Sequence, residues 1–425
     1  MDSQSFSLIF ATFLLITLAL KLWLAKRHIN FISKHKNSVP NQFAEKISLD
    51  AHKKAADYTI AKTRLKILLL AVNSMLLIWF TLFGGLQLLS NSILQIFDSG
   101  LTYQICLILA VALISSIVDI PFDYFKQFTL EEKFGFNKMK PSLFFTDLLK
   151  NAVVSLIIGL PIIWVILILM NKAGSLWWLY FWFIWCFFQI LMLSFYQNLI
   201  APMFNKFSPL EDNSLKLRIE GLMKRVGFSN KGLFVMDGSK RSSHGNAYFS
   251  GFGSAKRIVF FDTLISRLKP EEIEAVLAHE LGHFKLKHVL KRLIVVFILS
   301  LFFLGILGFL KNQIWFYKGL GVIPLLNDVG NLENNDSMAL ILFMLIIPVF
   351  TFLISPIASI SSRKHEFEAD AFAAKHTNSI DLISALVKLY EDNASTLTPD
   401  PIHSAFYDSH PPASLRINKL KSYSS

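Results

Sequence analysis

Seven runs of apolar residues, each long enough to cross a lipid bilayer, constrain this chain more than any other feature of its sequence. A helix needs about 20 predominantly apolar residues to span the hydrocarbon core. The runs lie near residues 6–24, 67–89, 103–121, 152–170, 177–199, 292–310 and 338–360. Apolar residues make up 53% of the 425 residues and charged residues only 17%, which excludes an ordinary soluble protein. The sequence therefore predicts a mainly α-helical, multi-pass membrane protein.

Positive charge alternates between the loops that join these runs. Residues 25–66 carry ten Lys and Arg, whereas residues 1–5 and 90–102 carry none. Residues 122–151 carry five, and residues 311–337 carry only two. Because Lys and Arg accumulate on the cytoplasmic side of a membrane, we expect the N-terminus outside and the C-terminus in the cytosol. This topology accounts for the net charge of +12, so we expect contact with membrane lipids and no nucleic-acid partner.

The order of the runs divides the chain into four parts. We assign 1–199 to transmembrane helices one to five with their cytosolic loops, and 200–291 to a cytosolic catalytic segment. Residues 292–360 form helices six and seven, and 361–425 form a second cytosolic segment. The segment 200–291 is predicted to contain a helix near 212–226 and a small β-hairpin. The hairpin pairs Asn246–Phe252 with Lys256–Thr263 across Gly253–Ala255.

The stretch AVLAHELGHFKLKH, from Ala275 to His288, contains a candidate metal site. On a helix, His279 and His283 lie on one face with reach for one zinc ion. Glu280, beside the first of them, can hold and deprotonate a water molecule. His288 lies about 140° around a continuous helix from His283, so we expect it to be a bystander. The alternative is a helix with two surface histidines.

A catalytic zinc needs a third protein ligand, and Ser361–His376 offers one. Glu366 and Asp370 are four residues apart and share a helix face, so Glu366 can bind zinc while Asp370 hydrogen-bonds a ligating imidazole. Glu368 is the rival ligand, and a solvated charge run is the alternative interpretation. Two spans separate Glu366 from His279, which puts both residues on the same side of the membrane. We therefore expect one zinc site per chain at the cytosolic membrane boundary.

Five motifs in this order resemble the type I CAAX prenyl endopeptidase family, whose members are seven-span membrane zinc metalloproteases. They are FTLEEKFGFN (Phe128–Asn137), RSSHGNAYFSGF (Arg241–Phe252), HELGH (His279–His283), RKHEFEADAFA (Arg363–Ala373) and SHPPASLRI (Ser409–Ile417). The resemblance covers nearly the whole chain. It implies Glu366 as third zinc ligand, Glu280 as general base, and Asp370 as hydrogen-bond partner of a zinc histidine.

The resemblance also implies roles for residues that the sequence alone would not single out. His410 would face the active site and stabilise an oxyanion or donate a proton, with Arg416 fixing that segment. Asn246, on the hairpin edge, would hold a substrate backbone as an added strand. From the residues alone, HPP at 410–412 indicates a rigid loop, and Asn246 indicates a turn.

Family members enclose a water-filled chamber within their seven helices, and the resemblance implies such a chamber here. Polar residues inside the predicted spans, namely Asp119, Gln104 and Gln189, fit a wet lumen. The alternative is that they form hydrogen bonds between helices.

Some features differ from the eukaryotic members of the family. The loop 311–337 is short, the tail KLKSYSS lacks a dilysine retrieval signal, and Ala51–Lys66 resembles bacterial members. We therefore expect a bacterial cytoplasmic membrane, or the endoplasmic reticulum membrane if the source is eukaryotic. Expected substrates are extended peptide segments near the cytosolic face, from CAAX-like, lipidated, membrane-bound or damaged proteins.

Three other classes of protein compete with this interpretation. A quality-control protease of the related heat-shock zinc protease type has four spans and lacks LEEKFGFN. An intramembrane site-2 protease carries its His-Glu-x-x-His inside a span, whereas here the motif precedes the span. A non-enzymatic seven-span receptor or transporter has no use for zinc with an open coordination position.

Overall fold

The computed structural model describes residues 1–228, 232–250 and 257–423. Its helices are, in chain order, α1 (Ser3–His35), α2 (Leu49–Phe80), α3 (Gly85–Leu94), α4 (Leu101–Phe125), α5 (Pro141–Lys172), α6 (Trp177–Phe195), α7 (Ala201–Phe204), α8 (Asn213–Arg225), α9 (Asp262–Ile265), α10 (Pro270–Lys285), α11 (His288–Leu310), α12 (Ile314–Lys318), α13 (Asp336–Thr351), α14 (Ser355–His376), α15 (Ser379–Asp392), α16 (Pro401–Tyr407) and α17 (Ala413–Lys421). The strands are β1 (Phe207–Pro209), β2 (Leu233–Met236), β3 (Ala247–Ser250) and β4 (Arg257–Phe261).

Within the described residues, seven helices are long and apolar enough to cross a membrane, which confirms the predicted number. They are α1, α2, α4, α5, α6, α11 and α13 with its continuation α14. One buried apolar cluster joins α1, α4, α5, α6 and α13, so the spans pack into a single bundle.

The second span differs from the predicted run 67–89. It ends at Phe80, because Gly84 adopts a left-handed conformation (φ 72°) from which α3 starts in a new direction. At its other end, α2 extends back to Leu49, where the Ser48 hydroxyl accepts a hydrogen bond from Ala51 N at 3.1 Å. The N-terminal half of α2 therefore lies outside the apolar run that forms the second span.

The segment between the fifth and sixth spans contains a four-stranded mixed sheet in the order β1-β2-β4-β3. β2 and β4 run parallel, and the outer pairs are antiparallel. The predicted hairpin is confirmed, with Ala247 opposite Phe260, while its turn at 251–256 lies outside the described residues. Ile258 and Phe260 of β4 are buried in one apolar cluster with α8, α10 and α15, so the sheet supports the helix that carries HELGH.

Two helices reach the site from the membrane in different ways. α13 passes through a short 3₁₀ turn, Phe352–Ile354, into α14, so the last span continues beyond the predicted boundary at 360. In contrast, α10 and α11 do not form the continuous helix that was assumed in placing His288 relative to His283. α10 ends at Lys285, and Lys287 takes a left-handed conformation (φ 58°) before α11 begins.

One of the polar residues inside the spans joins helices. Gln104 is buried, and its Oε1 accepts a hydrogen bond from Ser337 N at the start of α13, at 3.0 Å. This contact matches the helix–helix alternative for Gln104. The enclosed chamber stays a prediction.

Candidate metal centre

Helix α10 is held firmly at its N-terminal end. Pro270 occupies the first turn, where its missing N–H costs nothing. The buried Glu272 carboxylate accepts hydrogen bonds from the Lys269 backbone, the Ser384 hydroxyl and the Lys388 ammonium, each at 2.7 Å. Burial alone would raise the pKa of Glu272, but these hydrogen bonds outweigh burial and lower the pKa. α10 is thereby fixed to α15.

Helix α14 crosses α10 at very close range. A Cβ atom added to Gly282 would lie 3.0 Å from the Ala369 Cα, so a larger residue would force the two backbones apart by a few tenths of an ångström. The small side chains of Ala278 and Ala373, both fully buried, allow the two helices to approach closely along the rest of the contact. The glycine of HELGH therefore sets the distance between the two helices that carry the candidate ligands.

The three predicted zinc ligands converge where these helices cross. The Nε2 atoms of His279 and His283 lie 3.2 Å apart. Glu366 Oε2 lies 3.5 Å from His279 Nε2, and Glu366 Oε1 lies 3.3 Å from His283 Nε2. One donor atom from each residue fits within a 4.8 Å span, so all three can bind one cation.

Asp370 and Arg416 orient the first of these imidazoles. Asp370 Oδ1 lies 2.9 Å from His279 Nδ1, and the Arg416 guanidinium binds both Asp370 oxygens, at 2.6 and 2.8 Å. Because the carboxylate accepts the Nδ1 proton, the Nε2 lone pair points to the cluster. Burial lowers the pKa of His279, but the Asp370 and Glu366 carboxylates outweigh it and raise the pKa to about 9. A cation that binds Nε2 therefore displaces a proton.

The donor set fits a metal ion. Two imidazoles and one carboxylate form the His₂Glu set of catalytic zinc sites. Glu366 Oε2 is buried and has no hydrogen-bond partner among the described residues. Such an atom costs free energy unless something binds it, and a cation at the cluster would do so.

Glu280 follows His279 on α10, and His410 reaches the cluster from the loop before α17. The half-exposed Glu280 carboxylate forms no hydrogen bond or ion pair with the part of the chain that the structure describes, so it is available to a proton. His410, in the loop before α17, places Nε2 3.5 Å from Glu366 Oε1 and accepts or donates a hydrogen bond at Nδ1 with Ser409 Oγ. Its side chain is 61% exposed, so a substrate can reach it.

Asn246 lies beside the edge strand. It immediately precedes β3, is exposed, and its side-chain oxygen accepts a hydrogen bond from Ala247 N at 2.8 Å. It makes no hydrogen bond to the cluster in the described ranges. Its predicted role in binding an added strand stays a prediction.

His288 is not the bystander that the sequence predicted. It is 2% exposed, and its Nδ1 lies 3.0 Å from His283 Nδ1. Its Nε2 lies 2.9 Å from Glu368 Oε2. The prediction assumed a continuous helix, whereas the left-handed residue Lys287 turns His288 back onto the cluster. Gly or Asn usually occupies such a left-handed position, whereas here it is Lys, so the residue type does not indicate the break.

Glu368, His288 and His283 thus form one hydrogen-bonded relay. If His283 binds a cation through Nε2, its Nδ1 keeps a proton and donates it to His288 Nδ1. His288 Nε2 must then carry a proton, which it donates to Glu368. His365 stacks on His288 with ring centroids 4.1 Å apart. Both nitrogens of His288 are used in this relay, and Glu368 lies outside the donor group formed by His279, His283 and Glu366.

Two of the sequence motifs, FTLEEKFGFN and RSSHGNAYFSGF, contact each other next to the start of β3. Ser243 N donates to Phe136 O at 3.2 Å, and His244 stacks on the Phe136 ring. Glu131 lies 3.6 Å from His244 Nε2 and accepts the Tyr58 hydroxyl at 2.7 Å. These contacts attach the loop before β3 to α2 and to the segment that follows α4.

Comparison with known proteins agrees with this arrangement. Residues 28–206 match the CAAX prenyl protease N-terminal family model with five membrane helices, and residues 209–424 match peptidase family M48. CAAX prenyl protease 1 of Saccharomyces cerevisiae is 33% identical over 97% of this chain and 94% of its own length. A CAAX prenyl protease 1 homologue of Arabidopsis thaliana is 40% identical over 72% of this chain and 70% of its own length.

A solved structure extends the match to three dimensions. The crystal structure of S. mikatae Ste24p superposes with a TM-score of 0.90 at 31% identity, and covers 98% of this chain and 99% of that one. The agreement includes the seven membrane helices and the small mixed sheet. The chain therefore belongs to the CAAX prenyl protease family within peptidase family M48, and it is a multi-pass membrane metalloprotease.

Proposed function

We propose that this chain is a zinc endopeptidase that cleaves CAAX-like or other membrane-associated peptide segments near the cytosolic face. The observation that carries the proposal is the convergence of His279, His283 and Glu366. Glu280 follows the first of them in the chain and forms no hydrogen bond or ion pair among the described residues. A receptor or transporter has no need of a buried three-donor site next to an available base.

His279, His283 and Glu366 would hold one zinc ion per chain. When bound, zinc supplies Lewis acidity, which polarises a carbonyl and lowers the pKa of water. Asp370 keeps the Nδ1 proton of His279 in place, so Nε2 faces the ion. The relay from His288 does the same for His283.

The remaining residues act on the peptide. The Glu280 carboxylate would take a proton from the attacking water and pass it to the leaving amine. His410 would donate from Nε2 to the oxygen that becomes negatively charged, because its ring is exposed beside Glu366. Arg416 fixes that side by its bidentate contact with Asp370. β3 is an open edge of the sheet, so Asn246 at its start would bind the backbone of an added strand.

The location of the site relative to the membrane is part of this proposal. The charge of the loops supports an outer N-terminus and a cytosolic C-terminus. The continuation of α13 into α14 supports a centre at the cytosolic boundary. The segment Ala51–Lys66 favours a bacterial cytoplasmic membrane, and the endoplasmic reticulum is the expected membrane in a eukaryotic source. The names of the relatives support prenylated CAAX peptides as the first substrates to test.

One purification tests the proposal. Zinc per chain and cleavage of a prenylated CAAX peptide are measured for the wild type, for Glu280→Gln and for Glu220→Gln, an exposed carboxylate on α8 as control. We expect about one zinc per chain in all three, and loss of cleavage only in Glu280→Gln, by at least about 100-fold. Bound zinc with full cleavage in Glu280→Gln would refute the mechanism, and absence of zinc would refute the class.

A further inference from the structure

A polar cavity of 380 Å³ opens directly beside His410. Its volume falls within the range of about 300–1,000 Å³ that is usual for ligand sites. The cytosolic half of α2 forms one wall, through Tyr58, Lys62 and Lys66, and the loop that leads to α17 forms another. We call this cavity the lysine pocket.

The lysine pocket carries an excess of positive charge. Lys62 and Lys66 are four residues apart, so both ammonium groups lie on the face of α2 that lines the cavity. Asp408 is the single acidic side chain in the lining, against these two lysines. Burial raises the pKa of the Asp408 carboxyl, which weakens its competition for them.

The two lysines lack strong partners within the described part of the chain. Lys62 Nζ lies 4.6 Å from the centroid of the Tyr58 ring. The nearby Glu131 carboxylate accepts hydrogen bonds from Tyr58 at 2.7 and 2.9 Å and forms no direct ion pair with Lys62. Lys66 is exposed and forms no hydrogen bond or ion pair in these ranges. Two cations on one wall, beside a reactive site, favour an anionic ligand.

The lysine pocket adjoins the candidate centre, as a site for a short chain end must. His410 lines the pocket and lies 3.5 Å from Glu366, so the pocket begins at the ligand cluster. In a C-a-a-X segment three residues follow the cysteine. Three extended residues span about 10 Å. A peptide bound for cleavage next to the cysteine would place its terminal carboxylate about that far from the centre.

We propose that the lysine pocket binds the free α-carboxylate at the C-terminus of a peptide substrate, through Lys62 and Lys66. The inference rests on the proposed peptidase function. Recognition of this carboxylate would fix the cleaved bond at a set number of residues from the C-terminus of the substrate. An edge strand alone cannot do this, because its backbone hydrogen bonds can form at any position along a peptide.

Two matched peptides test the proposal on the full-length protein in lipid nanodiscs. Both carry the same prenylated C-a-a-X sequence, and one ends in a free acid while the other ends in an amide. The variants are Lys62→Gln with Lys66→Gln, and Arg64→Gln, an exposed cation on the same helix that does not line the pocket.

We expect the wild type and Arg64→Gln to prefer the acid over the amide by about tenfold in kcat/KM. In the double variant this ratio should fall to about one, with the amide cleaved as in the wild type. An unchanged ratio in the double variant, or an equal loss for both peptides, would overturn the inference.

Three further outcomes separate this inference from its rivals and from the proposed function. If the double variant keeps the acid preference but loses affinity for vesicles that contain phosphatidylserine, the pocket binds a lipid headgroup and the inference is wrong. If the wild type cleaves both peptides equally, this inference alone fails. If it cleaves neither, the proposed function fails and the inference fails with it.

Discussion

Replacing His288 with phenylalanine should weaken zinc binding although His288 contacts no metal. The variant keeps a ring of similar size against His365, whose centroid lies 4.1 Å away. It removes both nitrogens that connect His283 to Glu368, through contacts of 3.0 and 2.9 Å. The hydrogen bonds from His283 to His288 and from His288 to Glu368 are lost, while the packing of the ring stays nearly unchanged.

The expected magnitude follows from burial. His288 is 2% exposed, so water cannot easily replace its hydrogen bond to His283. A buried N–H without a partner costs about 1–3 kcal/mol. This cost falls on the metal-bound state, because only there must His283 keep its proton at Nδ1. Since about 1.4 kcal/mol is a factor of ten, the zinc dissociation constant should rise about 10- to 100-fold.

The assay is competition for zinc with a chromophoric chelator, on protein whose thermal unfolding is measured in parallel. His288→Gln should recover part of the affinity, because an amide can accept from His283 and donate to Glu368. His365→Phe keeps the stacking and leaves the relay intact, so it should bind zinc within about twofold of the wild type. A folded His288→Phe protein with wild-type zinc affinity, or an equal loss in His365→Phe, would refute the reasoning.

Three other changes test the surroundings of the centre. Asp370→Asn should weaken zinc binding about 10- to 100-fold and lower the melting temperature, because it leaves a buried guanidinium without its counter-charge; unchanged zinc affinity in competition assays would contradict this. Gly282→Ala puts a methyl group 3.0 Å from the Ala369 backbone and should lower the free energy of unfolding by about 1–3 kcal/mol. The control is Gly221→Ala on α8, where the nearest neighbour lies at 3.7 Å and no loss of stability is expected. Thermal melts compare the two variants. The pKa of Glu272 is lower in the folded protein than its ordinary value of 4.5, so its stabilisation is complete above that pH and is lost as the pH falls through the folded pKa. Glu272→Gln should therefore melt earlier at pH 7 and approach the wild type in acid, and a constant difference across this range would exclude the carboxylate as its cause.

The spans and the convergence of the candidate ligands could be predicted because both depend on local spacing. An apolar run of about 20 residues identifies a span without knowledge of its neighbours. The four-residue spacings of His279 with His283 and of Glu366 with Asp370 place each pair on one face of a helix. An even number of intervening spans then put both pairs on the same side of the membrane.

The remaining features depend on backbone conformation and on pairing between distant segments. The helix break at Gly84 carries a residue type that suits it, yet the apolar run continues through it. The break at Lys287 carries no such residue type, so the local residue pattern did not predict that His288 turns toward the cluster. The parallel pairing of β2 with β4 joins segments separated by a helical turn and a hairpin strand, and sequence periodicity does not specify such partners.

The two helices that carry the candidate ligands, α10 and α14, differ in how they respond to the thickness of the bilayer. α14 continues the last span, so tilting of that span in a thinner or thicker membrane moves Glu366 with it. α10 is separated from its span by the left-handed residue Lys287 and is anchored to the sheet and α15 instead. Hydrophobic mismatch would therefore load the centre from the carboxylate side, and the close packing of Gly282 against Ala369 would resist separation of the three candidate ligands.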